Sequence, residues 1–280
     1  MADGPRTSRP TRSATVLRKE WLSPGMVRLH LGGDDVRGLS ALTFTDHYVK
    51  LLFAPVGADY RWPFDPDEVR AQLPAEQWPV TRTYTIRSFD PSTGEMAIDF
   101  VVHGDVGLAG PWAATVEPGE SIGFHGPGGG YAPDPAAATH LLVGDEAALP
   151  AIAAALDVLP ADAAAEVFVE VADADHRIPL RETSRTRLTW VHRGSQPYGA
   201  SLAAAVRQEW VPDPEAQVFV HGNAELVKDL RRFLFVDQRH DRTRVSISGY
   251  WRTGLNEDGW QSSKRVFTQQ MENEEQAALS

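Results

Sequence analysis

Within Arg82-Thr83-Tyr84-Thr85-Ile86-Arg87 the chain places an aromatic ring, two hydroxyls and two guanidinium groups on one short segment. Such a set suits a ligand with a flat conjugated part and an anionic part. Tyrosine can stack, threonine can donate to a ring nitrogen, and arginine can clamp a phosphate through two parallel hydrogen bonds. On a strand, Arg82 and Tyr84 would share one face while Thr85 and Arg87 pointed the other way. An ordinary amphipathic strand with two exposed arginines fits the same residues, so their meaning depends on their neighbours along the chain. Downstream lie Asp99-Phe100-Val101-Val102-His103-Gly104 and Gly107-Leu108-Ala109-Gly110-Pro111-Trp112-Ala113. Glycines let backbone approach a ligand closely, and Pro111 suits the first turn of a short helix. A helix starting there would aim N–H groups at a pyrophosphate. Farther on, Gly144-Asp145-Glu146 follows an apolar run and precedes an alanine-rich stretch. That is where α/β sheets bind ligands, although it is not a G-x-G-x-x-G fingerprint and also reads as a βα turn with acidic capping residues. The scattered histidines form no i, i+4 pair and no HExxH, so no metal site is expected. No serine sits in a G-x-S-x-G elbow.

These groups need elements to hold them. From Ala14 to about Gly130, apolar residues alternate in short runs separated by Gly, Pro and Asp. Val27, Leu29 and Leu31 share one face, as do Val49, Leu51 and Phe53; segments 83–87, 95–102 and 121–124 continue the series. Several short strands with turn signals between them point to an antiparallel barrel or sandwich. The Pro-, Asp- and Trp-rich stretch from Pro55 to Pro79 reads as a surface excursion. Pro133 and Pro135 mark a linker, after which β-branched runs at 140–143, 167–171, 188–191 and 218–222 alternate with helical spacing at 147–159, 201–210 and 224–235. This pattern predicts a parallel sheet. The expected organisation is a flexible segment over 1–13, a β-barrel over 14–134, an α/β domain over 138–250 and an extension of mostly polar residues over 251–280.

Composition removes other classes. The 280 residues include 27 Lys+Arg and 38 Asp+Glu, a net charge of −11, so no broad basic surface exists for nucleic acid, and acidic lipid would repel the chain. There is no cysteine, which rules out disulfides, Cys-ligated zinc, iron–sulfur clusters and dithiol relays. Electrons moved by this protein would need an organic carrier. The first residues contain arginines with no apolar stretch behind them, and no later apolar run suits a membrane span; a cytoplasmic protein is expected. No long apolar stripe is left over, and a monomer is expected.

Six segments, in this order, resemble the siderophore-interacting proteins, FAD-dependent ferric-siderophore reductases related to ferredoxin–NADP reductases. They are Asp46-His47-x-Val49-Lys50-Leu51, Arg82-x-Tyr84-Thr85-x-Arg87, Asp99-Phe100-Val101-x-His103-Gly104, Gly107-x-Ala109-x-x-Trp112-Ala113, Gly144-Asp145-Glu146-x-Ala148-Leu149-Pro150-Ala151 and Gly249-Tyr250-Trp251-Arg252-x-Gly254. The likeness runs from about Thr15 to Arg265. It implies an antiparallel six-stranded FAD-binding barrel followed by a parallel-sheet nicotinamide-binding domain. Tyr84 would stack on the isoalloxazine, and Thr85 would hydrogen-bond near its N5; these two are the catalytic candidates. Arg82 and Arg87 would hold the pyrophosphate and ribityl region. His103 would lie along the adenosine half, and the segment with Gly107, Ala109, Trp112 and Ala113 would receive the pyrophosphate. Thr83, Asp99, Phe100, Val101, Asp145, Tyr250 and Trp251 complete the cofactor set. The chain departs from the family where Leu108 and Gly110 stand for the usual Pro and Ser, Ala147 for Thr, and Asn223 for an acid.

The resemblance also implies the reaction: NADPH or NADH reduces FAD, and FAD reduces a ferric siderophore. Lys50, with Arg252, Lys264 and Arg265, would attract an anionic chelate to an otherwise acidic protein. Glu170 at a strand end would favour a free ribose 2′-hydroxyl, whereas Arg193 or Arg177 would accept a 2′-phosphate. Two other readings compete, a general flavin reductase or a reductase for a protein partner, and a non-catalytic siderophore-binding protein.

Overall fold

The computed structural model describes residues 10–105 and 107–279. These fall into two units, one of residues up to Trp21 with Val27–Gly130, the other of Leu22–Met26 with Tyr131 onward. Of the segment expected to be flexible, residues 1–9 lie outside the described residues, and Arg12 already starts a strand.

The first unit contains β1 (Arg12–Ser23), β2 (Met26–Gly32), α1 (Asp34–Arg37), β3 (Tyr48–Phe53), α2 (Pro66–Gln72), β4 (Val80–Asp90), β5 (Glu95–Val101), α3 (Ala109–Thr115) and β6 (Ser121–Gly128). The six strands close into a barrel in the order β1-β2-β5-β4-β3-β6. Period-2 alternation puts Val27, Leu29 and Leu31 of β2, Val49, Leu51 and Phe53 of β3, and Ile98 and Phe100 of β5 in one core. Ala109 and Ala113 pack the same core, so small side chains let α3 lie close on the barrel. The surface excursion has structure of its own: Asp65 accepts from the N–H groups of Asp67 and Glu68 and starts α2, with Pro66 at its first position. The Trp62 ring lies against Gly123, where any Cβ would collide with it.

The second unit contains β7 (Thr139–Gly144), α4 (Leu149–Val158), β8 (Ala164–Val171), β9 (Thr186–His192), α5 (Ala200–Glu209), β10 (Gln217–Asn223), α6 (Ala224–Arg232), β11 (Val245–Trp251) and α7 (Glu257–Leu279). All five strands are parallel, in the order β11-β10-β7-β8-β9. The chain runs outward from β7 to β9 and then returns to the other side of β7, so the direction of winding reverses between β7 and β10.

The tail differs from the expectation of a polar extension. It is one long helix whose Trp260, Phe267 and Met271 pack on Ala224 of α6. Glu275, buried on the same face, accepts from Arg231 and from Arg242, the latter at 2.6 Å. The apolar residues recur at intervals of seven and four, a helical stripe diluted by the polar residues between them. No helix among the described residues is long and apolar enough to cross a membrane.

Candidate functional site

The barrel and the second sheet each gather a set of the predicted residues. On β4, Thr83 lies opposite Lys50 of β3, Thr85 opposite Tyr48, Tyr84 opposite Val49 and Arg82 opposite Leu51. Direct partners in an antiparallel pair share a face. Lys50, Thr83, Tyr48 and Thr85 therefore stand on one face, with Arg82 and Tyr84 on the other. Lys50 also lies opposite His125 of β6 and has no carboxylate partner among the described residues. Arg82, Thr83, Tyr84 and Arg87 are half-buried and Thr85 is buried. The start of β3 is fixed by His47: its Nε2 accepts from the Thr43 N–H, so Nδ1 carries the proton and donates to the Gly128 carbonyl at 2.8 Å.

The Tyr84 ring packs on Phe100 with centroids 4.4 Å apart, Phe100 meets Trp112 edge-on at 5.8 Å, and Trp112 meets Phe53 at 5.6 Å. Phe100 is fully buried, so its part is to support Tyr84 from below. Asp99 is also internal: its two oxygens accept from Arg28 Nε at 2.6 Å and Nη2 at 2.8 Å, tying β5 to β2. Val101 sits under α3, its carbonyl only 3.0 Å from where a Gly110 Cβ would be, which gives the departure at Gly110 a packing reason. His103 is exposed, and the space around Gly104 and Gly107, both with positive φ, is open. Ala109 and Ala113 face the core, which leaves backbone as what α3 can offer a ligand.

The donor set fits an isoalloxazine and its phosphates: a supported tyrosine ring, two threonine hydroxyls, two guanidiniums, and an open glycine turn leading into a helix.

At the carboxyl edge of the second sheet the polar residues bond to one another. Asp145 accepts from the N–H groups of Ala147 and Ala148 at 3.0 and 3.3 Å, from the Asn223 N–H at 2.8 Å and from Trp251 Nε1 at 2.8 Å. It thereby caps the turn into α4 and ties β7 to the ends of β10 and β11. Burial, with Glu146 beside it, pushes its pKa up to about 7 despite these donors. Gly222, at φ 134°, must be glycine, because a Cβ there would stand 2.7 Å from that carboxylate. Trp251 further meets the Tyr198 ring edge-on, and Tyr250 meets His221 in the same way. His221 stacks on Phe219 and shares a hydrogen bond with Ser246 Oγ; desolvation pulls its pKa down to about 3.

Three predicted substrate residues lie in this unit. Arg252 pairs with Glu225 and covers the Phe267 ring, Lys264 donates to Ser248 Oγ at 3.0 Å, and Arg265 is exposed. Glu170 is buried on the Gly199 N–H, and Arg193 bridges Glu146 and Glu170 with its face on Tyr198. Sequence reasoning misses Tyr198 and Gly199. Their signal is faint, a Pro-Tyr-Gly turn before a helix, with Gly199 at φ 80° where a Cβ would strike Leu226.

Comparison with known proteins agrees with both halves. Residues 15–131 match the siderophore-interacting FAD-binding domain, and residues 137–254 match the siderophore-interacting protein model. The ferric vibriobactin reductase ViuB of Vibrio cholerae is 32% identical over 265 residues, covering 89% of this chain and 92% of its own length. The NADPH-dependent ferric-chelate reductase of Escherichia coli is 31% identical over 243 residues, covering 86% and 92%. The crystal structure of the siderophore-interacting protein SipS from Aeromonas hydrophila superposes with a TM-score of 0.80 at 29% identity, over 93% of this chain and 99% of that one. Ferredoxin-NADP+ reductase from Plasmodium falciparum, 11% identical, shares the fold at a TM-score of 0.63 over 88% and 98%. The chain belongs to the siderophore-interacting proteins, an FAD-binding family with the ferredoxin–NADP reductase fold.

Proposed function

We propose that this protein is a cytoplasmic, monomeric reductase that carries electrons from NADPH or NADH through FAD to the Fe(III) of a siderophore and so releases Fe(II). The observation that carries the reading is β4, where Arg82, Thr83, Tyr84, Thr85 and Arg87 form one strand and the register sets Lys50 beside Thr83. Nicotinamide gives two electrons as hydride, whereas ferric iron takes one; FAD, when bound, accepts the pair and passes electrons on singly. One NAD(P)H therefore serves two ferric ions.

The chain's own residues bind and orient. Tyr84, backed by Phe100, offers a ring face that excludes water, and Thr83 and Thr85 supply hydrogen-bonding hydroxyls at fixed spacing. Arg82 and Arg87 neutralise phosphate charge. Lys50 draws in an anionic chelate. Iron needs no ligand from the protein, because Fe(II), with its lower charge, is held less tightly by the hard oxygens of the chelator. The names of the related vibriobactin and ferric-chelate reductases support both the substrate class and a nicotinamide donor.

The test is the absorption spectrum of the purified protein followed by anaerobic reduction with NADH or NADPH. Ferric hydroxamate or ferric catecholate is then added with a ferrous trap. Flavin bands that bleach with nucleotide and recover on adding chelate, with Fe(II) above a free-flavin control, are expected. A colourless protein that cannot be loaded with FAD, or Fe(II) no higher than the control, overturns the proposal.

A further inference from the structure

Strands β7, β8 and β9 end side by side, and each delivers one charged side chain to the same buried point. Glu146 follows β7, Glu170 is the penultimate residue of β8, and Arg193 follows β9; their side chains are 10%, 0% and 9% exposed. Arg193 Nη1 donates to both Glu146 oxygens at 3.2 Å and stands 3.6 Å from Glu170 Oε1. Its guanidinium carbon lies 4.0 Å from the centroid of the Tyr198 ring. Glu170 accepts in addition from the Gly199 N–H at 3.0 and 3.2 Å. The guanidinium is thus held at its edge by carboxylates and on its face by a ring, with one cation set against two anions.

In open α/β sheets the ligand lies outside the carboxyl ends of the strands where the winding reverses, and in dinucleotide-binding sheets the charges beside those ends meet the ribose 2′ position. A carboxylate there suits a hydroxyl and an arginine suits a phosphate. Here the end of β8 carries Glu170, and the neighbouring arginine is already neutralised. The geometry points to a donor site for a ribose with a free 2′-hydroxyl, so that this chain takes NADH in preference to NADPH. The inference rests on the nicotinamide-donor reading and narrows it.

A 2′-phosphate could be met by Arg193 only if it turned from Glu146, which would leave two buried carboxylates facing a further dianion. Desolvation raises the Glu170 pKa, a sign that the site already resists negative charge. Glu170 lies below the surface and acts by fixing Arg193; it is a positioning residue. The competing cation is Arg177, exposed beyond the end of β8, with Nε and Nη2 directed at His192 Nε2 at 3.1 and 2.9 Å. Water and salt screen its charge.

Calorimetric titration of the FAD-loaded protein with NAD+ and with NADP+ tests this without turnover. NAD+ is expected to bind about tenfold more tightly. Glu146→Gln, which frees Arg193 from one partner, is expected to narrow that gap several-fold by strengthening NADP+ binding, and Arg177→Ala to leave the ratio as it is. NADP+ binding as tight as NAD+, or a ratio that Arg177→Ala alone shifts, overturns the inference. The wild-type ratio decides whether or not the Glu146 variant folds. Binding of neither nucleotide instead removes the donor reading, and this inference with it.

Discussion

The face of β4 and the carboxyl edge of the second sheet carry similar residue types, yet they use them differently. On β4, Thr83, Thr85 and the neighbouring Lys50 stand on a rigid strand pair whose backbone groups are already bonded to one another. The strand backbone therefore makes no demand on these side chains. At the sheet edge, Asp145, Glu146, Glu170, Arg193 and Trp251 bond mainly to each other and to backbone N–H groups. Strand ends and βα turns leave N–H groups without ladder partners, and buried side chains must satisfy them. A motif on a strand thus presents chemistry, whereas a motif in a βα turn first builds the crevice. The contrast can be broken by experiment at three points.

The largest effect belongs to the sheet edge, where two fully buried groups titrate in opposite senses. Asp145, with its pKa raised to about 7 on folding, contributes stability that is present at low pH and is lost as pH rises through 7. His221, with its pKa depressed to about 3, contributes stability that is present near neutrality and is lost as pH falls toward 3. Each slope is about 1.4 kcal/mol per pH unit, so between about pH 4 and 6.5 the two cancel. His221→Gln should unmask the Asp145 limb, with unfolding free energy falling by about 3 kcal/mol from pH 4 to 6.5. Asp145→Asn should unmask the opposite limb and make stability rise over the same window, from a lower starting value. Urea unfolding at several pH values, read as variant minus wild type, checks this. Parallel curves would mean that these groups exchange protons in the folded state much as they do when unfolded.

This edge also marks how far the sequence could be read. Alternation in Val27-Arg28-Leu29-His30-Leu31 and in Val49-Lys50-Leu51-Leu52-Phe53 made the barrel legible, because a half-buried strand writes its environment into a period of two. The β4 cluster was legible for the same reason, with its residue types and their spacing together on one strand. The partners of Asp145 were not, since Asn223 and Trp251 arrive from strands that lie far along the chain and meet it only through the parallel register. Arg28, which holds Asp99, is hidden in the same way. Helix α7 was obscured by composition: Trp260, Phe267 and Met271 are few among many polar residues, and their common face shows only once they pack on Ala224.

The middle effect tests whether the Tyr84 ring, on the other face of β4 from Thr83 and Thr85, serves a ligand as well as the core. Tyr84→Ala removes a ring that stands on Phe100, and with it one whole face for a conjugated ligand. The Kd for FAD should rise roughly thirtyfold, about 2 kcal/mol, in a fluorescence titration of stripped protein. Tyr84→Phe should keep most of the affinity, because the ring and not the hydroxyl does the stacking. Equal affinity in wild type and Tyr84→Ala would make Tyr84 a core residue like Phe100 and would erase the contrast with the sheet edge.

The smallest effect tests Lys50, whose position is given by register alone. Lys50 stands between Thr83 and His125 on a half-buried strand face, with no carboxylate partner among the described residues of a chain of net charge −11. An unpaired cation in that setting gives a local positive potential whose influence on an anionic chelate falls with ionic strength. Lys50→Ala should keep the yellow colour and the rate of flavin reduction by nucleotide, while kcat/KM for an anionic ferric chelate drops about fivefold, near 1 kcal/mol. The drop should shrink as salt is raised and should be absent for a neutral ferric hydroxamate. Arg265→Ala provides the comparison, since its exposed charge on α7 is screened by solvent and should shift the rate less. A Lys50 variant that reduces charged and neutral chelates alike would take the lysine out of the substrate site and leave β4 as a cofactor surface only.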